Sequence, residues 1–297
     1  MSTLLNPAPA GTRLDPVTPS RPSRRGHRIG RLLGYLALIV ASAAVLLPFY
    51  WMVVSSLKTN NEVFTVPVRW LPETAVWHNY AAIWDRTGIT TWLGNTVLLS
   101  VVVTFLQVLT GSFAAYGFAK MRFPGRDVLF LGYVGTLAVP WQSYMIPQFV
   151  LLSKMHLSDT LWSIIAIQAF GALGVFMMKQ YYESIPDELL DAARIDGMSE
   201  YGIYRRIMLP LSTPALASLA LITLVNTWND YLGPLLYLRS SNLWTIQLGL
   251  RSFIDNYNAE YALIMTGSVL SVLPITIVFM LGQRYFVEGI ATTGLKG

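Results

Sequence analysis

The chain has 297 residues, of which 54% are hydrophobic and 12% are charged, and its mean hydropathy is +0.48. Soluble domains carry about 25% charged residues, so the composition excludes an ordinary water-soluble globule and favours a protein that spans a lipid bilayer. The net charge of +5 comes largely from arginines beside apolar runs, not from a basic face with interleaved aromatic residues, which argues against nucleic acid as a partner. The chain contains no cysteine and only three widely separated histidines, so no metal site or bound cofactor is predicted.

Residues 1–30 are rich in Pro, Ser, Thr, Gly and Arg, which predicts a disordered basic tail. Residues 31–297 contain six apolar stretches of spanning length and therefore predict an all-α membrane protein with six transmembrane helices. The six stretches are 32–54, 92–118, 128–152, 161–182, 214–237 and 261–286. The first stretch continues past a sequence that resembles a signal-peptide cleavage site, so it is interpreted as a retained span. Prolines inside the stretches predict kinks or interruptions, at Pro48, Pro140, Pro147, Pro234 and Pro274.

The distribution of positive charge predicts the orientation of the chain. Most of the 21 lysine and arginine residues lie before the first stretch, after the second, after the fourth and near the C-terminus. Because positive residues are enriched in cytoplasmic segments, both termini are expected in the cytoplasm of a multi-pass membrane protein.

A polar segment, about 183–213, joins the fourth and fifth stretches and is predicted to form two short helices with a sharp turn between them. Residues 187–194 favour a helix with acidic residues in its first turn, and Gly197 is placed to end that helix in a left-handed conformation. Ser199 is suited to cap a second helix that runs to about Met208 and stops before Pro210. From this pattern alone, a docking loop and an ordinary interfacial helix pair under the bundle remain equal alternatives.

The loop carries a recognisable spacing of residues. Asp191-Ala192-Ala193, three residues, Gly197, nine residues and then Ile207-x-Leu209-Pro210 resembles the EAA loop of the membrane subunits of ABC importers, although Asp191 stands where the family usually has Glu. The fifth stretch and the ending of the chain are similar to the smaller permease of maltose-type carbohydrate importers. These segments read Asn226-x-Trp228-Asn229-Asp230-Tyr231 and Gly289-Ile290-Ala291-Thr292-Thr293-Gly294-Leu295-Lys296-Gly297. The resemblance covers about residues 30–297.

The resemblance implies the type I permease fold of ABC importers and a role as half of an ATP-driven import channel in a bacterial or archaeal cytoplasmic membrane. It also implies a second six-span permease, a cytoplasmic ATPase dimer, an extracytoplasmic solute-binding protein and membrane lipid as partners. ATP and Mg would be used by the ATPase, because this chain has no G-x-x-x-x-G-K-[ST] phosphate loop and is not expected to be an enzyme. The residues implied to couple the chain to the ATPase are Asp191, Ala192, Ala193, Asp196, Gly197, Tyr204, Ile207, Leu209 and Pro210. In the C-terminal tail, 287–297, Lys296 and Gly297 would contact the ATPase.

Polar side chains inside the predicted spans are candidates for a substrate path, because such groups are costly in lipid and usually face a cavity. The candidates are Gln142, Tyr144, Gln168, Asn226, Trp228, Asn229 and Asp230, together with Gln107 and the rings of Trp141 and Tyr231. Sugar recognition uses amides and carboxylates for hydroxyl groups and aromatic rings for apolar sugar faces. The same amides are equally suited to hydrogen bonds between helices.

Three further functions stay open at this point. An importer of glycerol-3-phosphate is close to a sugar importer, although no Lys or Arg lies in the middle of a predicted span. An ion-driven secondary transporter would require buried ionisable pairs and inverted repeats, and Asp230 is the sole candidate acid. An intramembrane enzyme would require a constellation of nucleophile and base, and the predicted spans contain no histidine.

Overall fold

The computed structural model describes residues 24–254 and 260–294, with side chains for 30–254 and 260–283. Within these residues the protein is all-α, as predicted. Its helices are α1 Arg24–Ser56, α2 His78–Arg86, α3 Ile89–Lys120, α4 Arg126–Gly135, α5 Met145–Lys154, α6 Leu161–Gln168, α7 Ala172–Glu183, α8 Asp187–Ile195, α9 Glu200–Ile203, α10 Leu209–Leu211, α11 Thr213–Trp228, α12 Leu232–Tyr237, α13 Ile246–Leu250 and α14 Tyr261–Gly294.

Four helical segments in the described part of the chain are long and apolar enough to cross a membrane: Gly30–Ser56, Ile89–Lys120, Leu161–Glu183 and Tyr261–Gln283. A fifth is obtained when Glu200–Leu211 and Thr213–Trp228, which are bent by 78° at a break, are taken as one span. The membrane fold is therefore confirmed, but helix length does not confirm the number of six spans.

The third predicted span, 128–152, is not one helix. α4 ends at Gly135 and α5 begins at Met145, and two 3₁₀ turns, Thr136–Ala138 and Trp141–Ser143, lie between them. Pro140 explains the break, because the ring of a proline disfavours helical geometry at the preceding residue and Val139 is extended. Pro147 lies in the first turn of α5, where the missing N–H costs no hydrogen bond.

The ends of the chain depart from the predicted boundaries. α1 begins at Arg24, inside the segment that was expected to be a tail, and α14 continues through most of the predicted C-terminal tail to Gly294. Pro48 and Pro274 lie inside these two helices without interrupting them. Residues 1–23 lie outside the described residues.

The chain divides into two compact units, residues 1–50 and 51–297. In the first unit, every described side chain of α1 from Gly30 to Tyr50 is exposed. Most of these side chains are apolar, so this stretch of α1 is suited to lipid or to another membrane subunit rather than to water.

In the second unit, α3 lies at the centre and packs against α7 and α11. Gly111 of α3 and Gly174 of α7 let the two backbones approach, since a Cβ at Gly111 would lie 3.4 Å from the carbonyl carbon of Gly174. Small residues commonly allow such close contacts between membrane helices. This packing places the middle of α3 beside the start of α7.

The connections at the two ends of α3 lie on opposite sides. At its end, Lys120 donates from Nζ to the carbonyl oxygen of Ile185 at 2.7 Å, beside the predicted cytoplasmic loop. At its start, Trp92 donates from Nε1 to the carbonyl oxygen of Ser241 at 3.1 Å, in a segment predicted to be outside.

Candidate functional site

The loop between α7 and α11 folds as the predicted helix–turn–helix. α8 is followed by Gly197 with φ of +79°, the left-handed conformation that glycine adopts at low cost. Ser199 then caps α9, because its Oγ accepts a hydrogen bond from the backbone N–H of Gly202 at 3.2 Å. Both turn signals in the sequence are confirmed.

The second half of the loop is longer than predicted. α9 continues into a π-helical turn, Tyr204–Met208, and then into α10, so the helical path ends at Leu211 rather than before Pro210. Pro210 has no backbone N–H, so it cannot donate the hydrogen bond that an α-helix requires at this position. The π turn directly before it pairs residues i and i+5, which changes the carbonyls that need a donor and lets the helical path continue past the proline. The path then bends by 78° into α11, which places the loop directly at the base of a spanning helix.

Arg194 organises the loop. Its guanidinium donates from Nη1 to Asp191 Oδ1 at 2.8 Å and from Nε to Glu200 Oε1 at 2.8 Å, so it joins α8 to α9. The other oxygen of Glu200 accepts a hydrogen bond of 2.6 Å from the hydroxyl of Tyr116, which is buried on α3. The hydrogen bonds from Arg194 and then from Tyr116 hold the pKa of Glu200 below its usual range. This chain of contacts links the loop to the central helix, and we call Tyr116, Glu200, Arg194 and Asp191 the loop clamp.

A second contact fixes the start of α8. Lys120 Nζ donates to Asp187 Oδ1 at 2.5 Å, and this bond holds the pKa of the Asp187 carboxyl below its usual range. Because Lys120 also binds the carbonyl oxygen of Ile185, the end of α3 holds the loop at its entry as well as through the loop clamp.

The predicted coupling residues divide into an outer and an inner set. Asp191, Ala192, Asp196, Gly197 and Pro210 are exposed. In contrast to the expectation that both alanines offer a surface to a partner, Ala193 is buried in the chain's own core. Tyr204 is also buried, and its hydroxyl lies 2.8 Å from Ser112 Oγ of α3, while Ile207 and Leu209 are half-buried against the same core. The inner residues therefore brace the loop from inside.

Large apolar side chains on the outer surface of the loop were not among the predicted coupling residues. Ile195 is 86% exposed, Tyr201 63% and Leu189 48%. The sequence carries a signal for two of them. Leu190 and Ala193 define the buried face of α8, and Leu189 and Ile195 lie outside that face. Apolar groups at the turn of a polar loop mark a surface for another protein.

A cavity of about 530 Å³ lies between α3, α7 and α11. Three interrupted spans meet at this cavity: the break between α4 and α5 contributes Trp141 and Tyr144, the end of α6 contributes Gln168, and the break between α11 and α12 contributes Asp230 and Tyr231. Broken helices are tolerated at membrane depth where they line a cavity. In transporters, such breaks commonly build the substrate site.

The polar groups freed at one break are satisfied by α3. Gln107 Nε2 donates to the carbonyl oxygen of Gln168 at 2.7 Å, and Thr110 Oγ1 donates to the carbonyl oxygen of Ala169 at 2.8 Å. Gln168 in turn donates from Nε2 to Asp230 Oδ2 at 2.7 Å, which connects α6 to the start of α12. These bonds hold the cavity wall in one arrangement.

The cavity brings together eight of the ten candidates for the substrate path, namely Gln107, Trp141, Tyr144, Gln168, Asn226, Asn229, Asp230 and Tyr231. The other two candidates, Trp228 and Gln142, do not line this cavity. Trp228 is buried and donates from Nε1 to the carbonyl oxygen of Ser271 at 3.1 Å, so it joins α11 to α14. Gln142 is exposed but does not line the cavity, because it follows Pro140 in a 3₁₀ turn that points it elsewhere.

Gln148, Thr223 and Thr227 also line the cavity and were missed. Thr223 and Thr227 fall on the face of α11 that carries Asn226, one helical turn apart, which is the only sequence signal for them. The predicted contact residues Lys296 and Gly297 lie outside the described residues.

Residues 107–292, more than half of the chain, match the family model described as the binding-protein-dependent transport system inner membrane component. The chain is 36% identical over 253 residues to the arabinooligosaccharides transport system permease protein AraQ of Halalkalibacterium halodurans, which covers 84% of this chain and 91% of that protein. It is 31% identical over 276 residues to the sn-glycerol-3-phosphate transport system permease protein UgpE of Pectobacterium atrosepticum, which covers 90% of this chain and 97% of that protein.

The fold is similar to a solved chain of a bacterial ABC transporter that is involved in the import of the acidic polysaccharide alginate, with a TM-score of 0.79 and 24% identity over 91% of this chain and all of that chain. The all-helical architecture and the loop that precedes α11 agree with this family match, which extends over more than half of the chain. This chain belongs to the family of inner membrane components of binding-protein-dependent transport systems.

Proposed function

We propose that the chain is one of two membrane-spanning subunits of an ATP-driven carbohydrate importer, and that a separate ATPase docks on the loop formed by α8, α9 and α10. The observation that carries the proposal is the loop itself. It exposes Leu189, Ile195 and Tyr201, while the loop clamp and Lys120 attach it to α3. A rigid loop with an apolar outer surface is suited to transmit the motion of a bound partner to the spans.

The outer set of coupling residues lies on the same loop as these apolar side chains. Asp191, Ala192, Asp196 and Gly197 are exposed there, and Asp191 remains 63% exposed although Arg194 holds it. A basic group of the ATPase would therefore meet a carboxylate that is already oriented by an intramolecular ion pair. Lys296 and Gly297 remain proposed contacts with the same partner.

ATP and Mg²⁺ are used by the ATPase in this proposal, because the chain contains no phosphate-loop sequence. The second permease completes the transport path, and a solute-binding protein delivers the substrate, as the name of the family implies. The complex is placed in a bacterial or archaeal cytoplasmic membrane with both termini of this chain in the cytoplasm. The excess of Lys and Arg in the termini and in the loops after the second and fourth predicted spans supports that orientation.

Carbohydrate is the proposed cargo. The named relatives include a permease for arabinooligosaccharides and one for sn-glycerol-3-phosphate. The cavity supports the sugar over the polyol phosphate, because amides, a carboxylate and aromatic rings line it and neither Lys nor Arg is among its described lining residues.

The test is affinity purification of the full chain from its native membrane, followed by reconstitution of the recovered complex and measurement of sugar uptake with and without ATP. The expected result is co-purification of an ATPase and a second permease, with uptake that stops on ATP depletion and persists when ion gradients are collapsed. Replacing Ile195 by Asp should reduce recovery of the ATPase, whereas replacing the exposed Val128 of α4 by Asp should not. Recovery of the chain alone, with uptake driven by an ion gradient, would instead establish a secondary transporter.

A further inference from the structure

The family contains members named for neutral and for anionic substrates, so membership alone does not select a substrate class. The cavity of this chain does select a substrate class, because some of its polar groups are already hydrogen-bonded within the protein and the others remain available to a ligand. Selection of a substrate class by this cavity presupposes the proposed import function.

Two amides of the cavity wall are bonded through both their nitrogen and their oxygen to other groups of the protein. Gln107 donates to the carbonyl oxygen of Gln168 and accepts a hydrogen bond of 3.1 Å from Thr223. Gln168 donates to Asp230 and accepts a hydrogen bond of 3.2 Å from Thr227. Because both ends of each amide are paired, these side chains act as the frame of the cavity rather than as its binding groups.

Other groups remain available. Asn226 is exposed to the cavity and makes no hydrogen bond among the described residues, and Asn229 uses its Nδ2 for the carbonyl oxygen of Val225 but keeps its Oδ1. Tyr144 is 41% exposed, and no partner for its hydroxyl lies among the described residues. These groups are neutral donors and acceptors of the kind that bind hydroxyl groups.

Asp230 is the one charged group among the described lining residues. Gln168 donates to its Oδ2 at 2.7 Å, and the backbone N–H of Gly233 donates to its Oδ1 at 3.1 Å. A carboxylate has about four acceptor positions, so these bonds leave room for a hydroxyl donor from a ligand. Its neighbours are uncharged, and a phosphate or uronate in the same cavity would meet a negative charge that no Lys or Arg of the described lining compensates.

We infer that this subunit binds a neutral sugar residue of the transported substrate directly in the cavity. Asp230, Asn226 and Asn229 hydrogen-bond its hydroxyl groups, and the rings of Trp141, Tyr144 and Tyr231 border its apolar faces. A volume of about 530 Å³ lies within the range of small-molecule sites, which is roughly 300–1,000 Å³. Gln107 and Gln168 are positioning residues that hold Asp230 and the broken end of α6.

Because the chain has no cysteine, a single introduced thiol reports on one position. Asn226→Cys places that thiol in the cavity, and Gln142→Cys, exposed but not in the cavity lining, is the matched control. The complete complex in lipid nanodiscs, with and without vanadate-trapped nucleotide, is treated with N-ethylmaleimide, and labelling of this chain is measured by mass spectrometry. The probes are neutral arabinotriose, maltotriose, xylotriose and lactose, and anionic sn-glycerol-3-phosphate and alginate trisaccharide.

We expect at least one neutral probe to slow labelling of Asn226→Cys by fivefold or more in one of the two states, with no effect on Gln142→Cys and no protection by the anionic probes. Protection by an anionic probe overturns the neutral substrate class. Absence of protection by every neutral probe overturns direct binding in this subunit.

A second measurement tests the role of Asp230 separately. Asp230→Asn keeps an acceptor for Gln168 but removes the charge, and we expect the KM for uptake of the protected sugar to rise by about tenfold. Gln142→Leu should leave this KM unchanged. An unchanged KM in Asp230→Asn, in a complex that elutes as a single species, removes Asp230 from the site. If the unmodified complex showed no ATP-dependent uptake of any sugar, the proposed function itself would be refuted. This outcome differs from normal uptake without protection of Asn226→Cys, which would refute only the binding site.

Discussion

At the scale of single residues, Glu200 connects α9 to two other helices. Its Oε1 accepts from Arg194 Nε of α8 at 2.8 Å, and its Oε2 accepts from the hydroxyl of Tyr116 of α3 at 2.6 Å and from Arg194 Nη2 at 3.4 Å. Glu200 therefore provides one of the links between the loop and α3, beside the contacts of Lys120 with Asp187 and of Tyr204 with Ser112. The ion pair is partly exposed, at 37% for Arg194 and 41% for Glu200, so its direct contribution to stability is small, about 1 kcal/mol or less.

Replacing Glu200 should therefore affect coupling more than folding. Glu200→Gln keeps an acceptor for Tyr116 but loses the charge for Arg194, whereas Glu200→Leu removes both contacts. We expect sugar transported per ATP hydrolysed to fall modestly in the first variant and by about tenfold or more in the second, measured in proteoliposomes. Glu188→Gln is the control, because Glu188 is exposed on α8 of the same loop and makes no ion pair among the described residues. Equal coupling in Glu200→Leu and the control would remove the loop clamp from transmission.

The lowered pKa of Glu200 also predicts a dependence on pH. A carboxylate whose pKa is lower in the folded protein than its ordinary value of 4.5 stabilises the fold above about pH 4.5, and this contribution is lost as the pH falls through the folded pKa. The Tm of the wild-type complex should exceed that of Glu200→Gln at pH 6–7, and the two should converge as the pH decreases below 4.5. Thermal unfolding in detergent at a series of pH values measures this difference. A gap in Tm that widens on acidification contradicts the predicted sign.

At the scale of elements, the turn between α8 and α9 depends on Gly197. Its φ of +79° is unfavourable for any residue with a Cβ, by roughly 1–2 kcal/mol, and more for a β-branched side chain. Nothing lies within 4 Å of a Cβ built at this position, so the cost of a substitution is conformational and not steric.

Gly197→Val should block transport while the protein still inserts into the membrane. Gly125→Val is a matched control, because Gly125 has φ of +78°, its Cβ would also meet nothing within 4 Å, and it lies in a different loop. Both variants should lose similar stability, but only Gly197→Val should lose binding-protein-stimulated ATP hydrolysis. Wild-type transport in Gly197→Val would refute the role of the turn.

The contact between α3 and α7 is a second element whose geometry depends on glycine. A valine at Gly111 would place its methyl groups against the backbone of Gly174, beyond the 3.4 Å that a bare Cβ already reaches. We expect Gly111→Val to destabilise the bundle by about 1–3 kcal/mol and to lower the fraction of monodisperse protein in size-exclusion chromatography. Gly117→Val, on the same helix with open space around the added Cβ, should not. Equal elution profiles would show that α3 and α7 can separate without cost.

At the scale of the whole molecule, the proposed orientation places the loop between α7 and α11 in the cytoplasm. A cysteine at the exposed Glu73 should react with a membrane-impermeant maleimide added to intact spheroplasts, and a cysteine at the exposed Asp196 should react only after lysis. The cysteine-free sequence makes each label specific on this chain. The reverse pattern would invert the molecule and place the loop on the wrong side for an ATPase.

Much of the loop was predictable because its signals are local. A left-handed glycine and a serine cap act over a few residues, so Gly197 and Ser199 could be placed from the sequence and are confirmed. The burial of Ala193 could not, because the neighbouring Ala192 has the same side chain and only the packing of α8 against the core separates them. The burial of Trp228 could not be predicted from local sequence either, because its hydrogen-bond partner, Ser271, is distant in sequence.

The amino-acid sequence by itself determined the membrane class, the approximate positions of the apolar stretches and the loop motif, because each depends on composition or on short-range spacing. The tertiary structure alone decided that three interrupted spans meet at one cavity, that Gln168 holds Asp230 across it, and that Tyr116 reaches Glu200. These contacts join residues that are far apart in sequence. A pairing between distant residues depends on the packing of whole helices, which no local pattern of residues specifies.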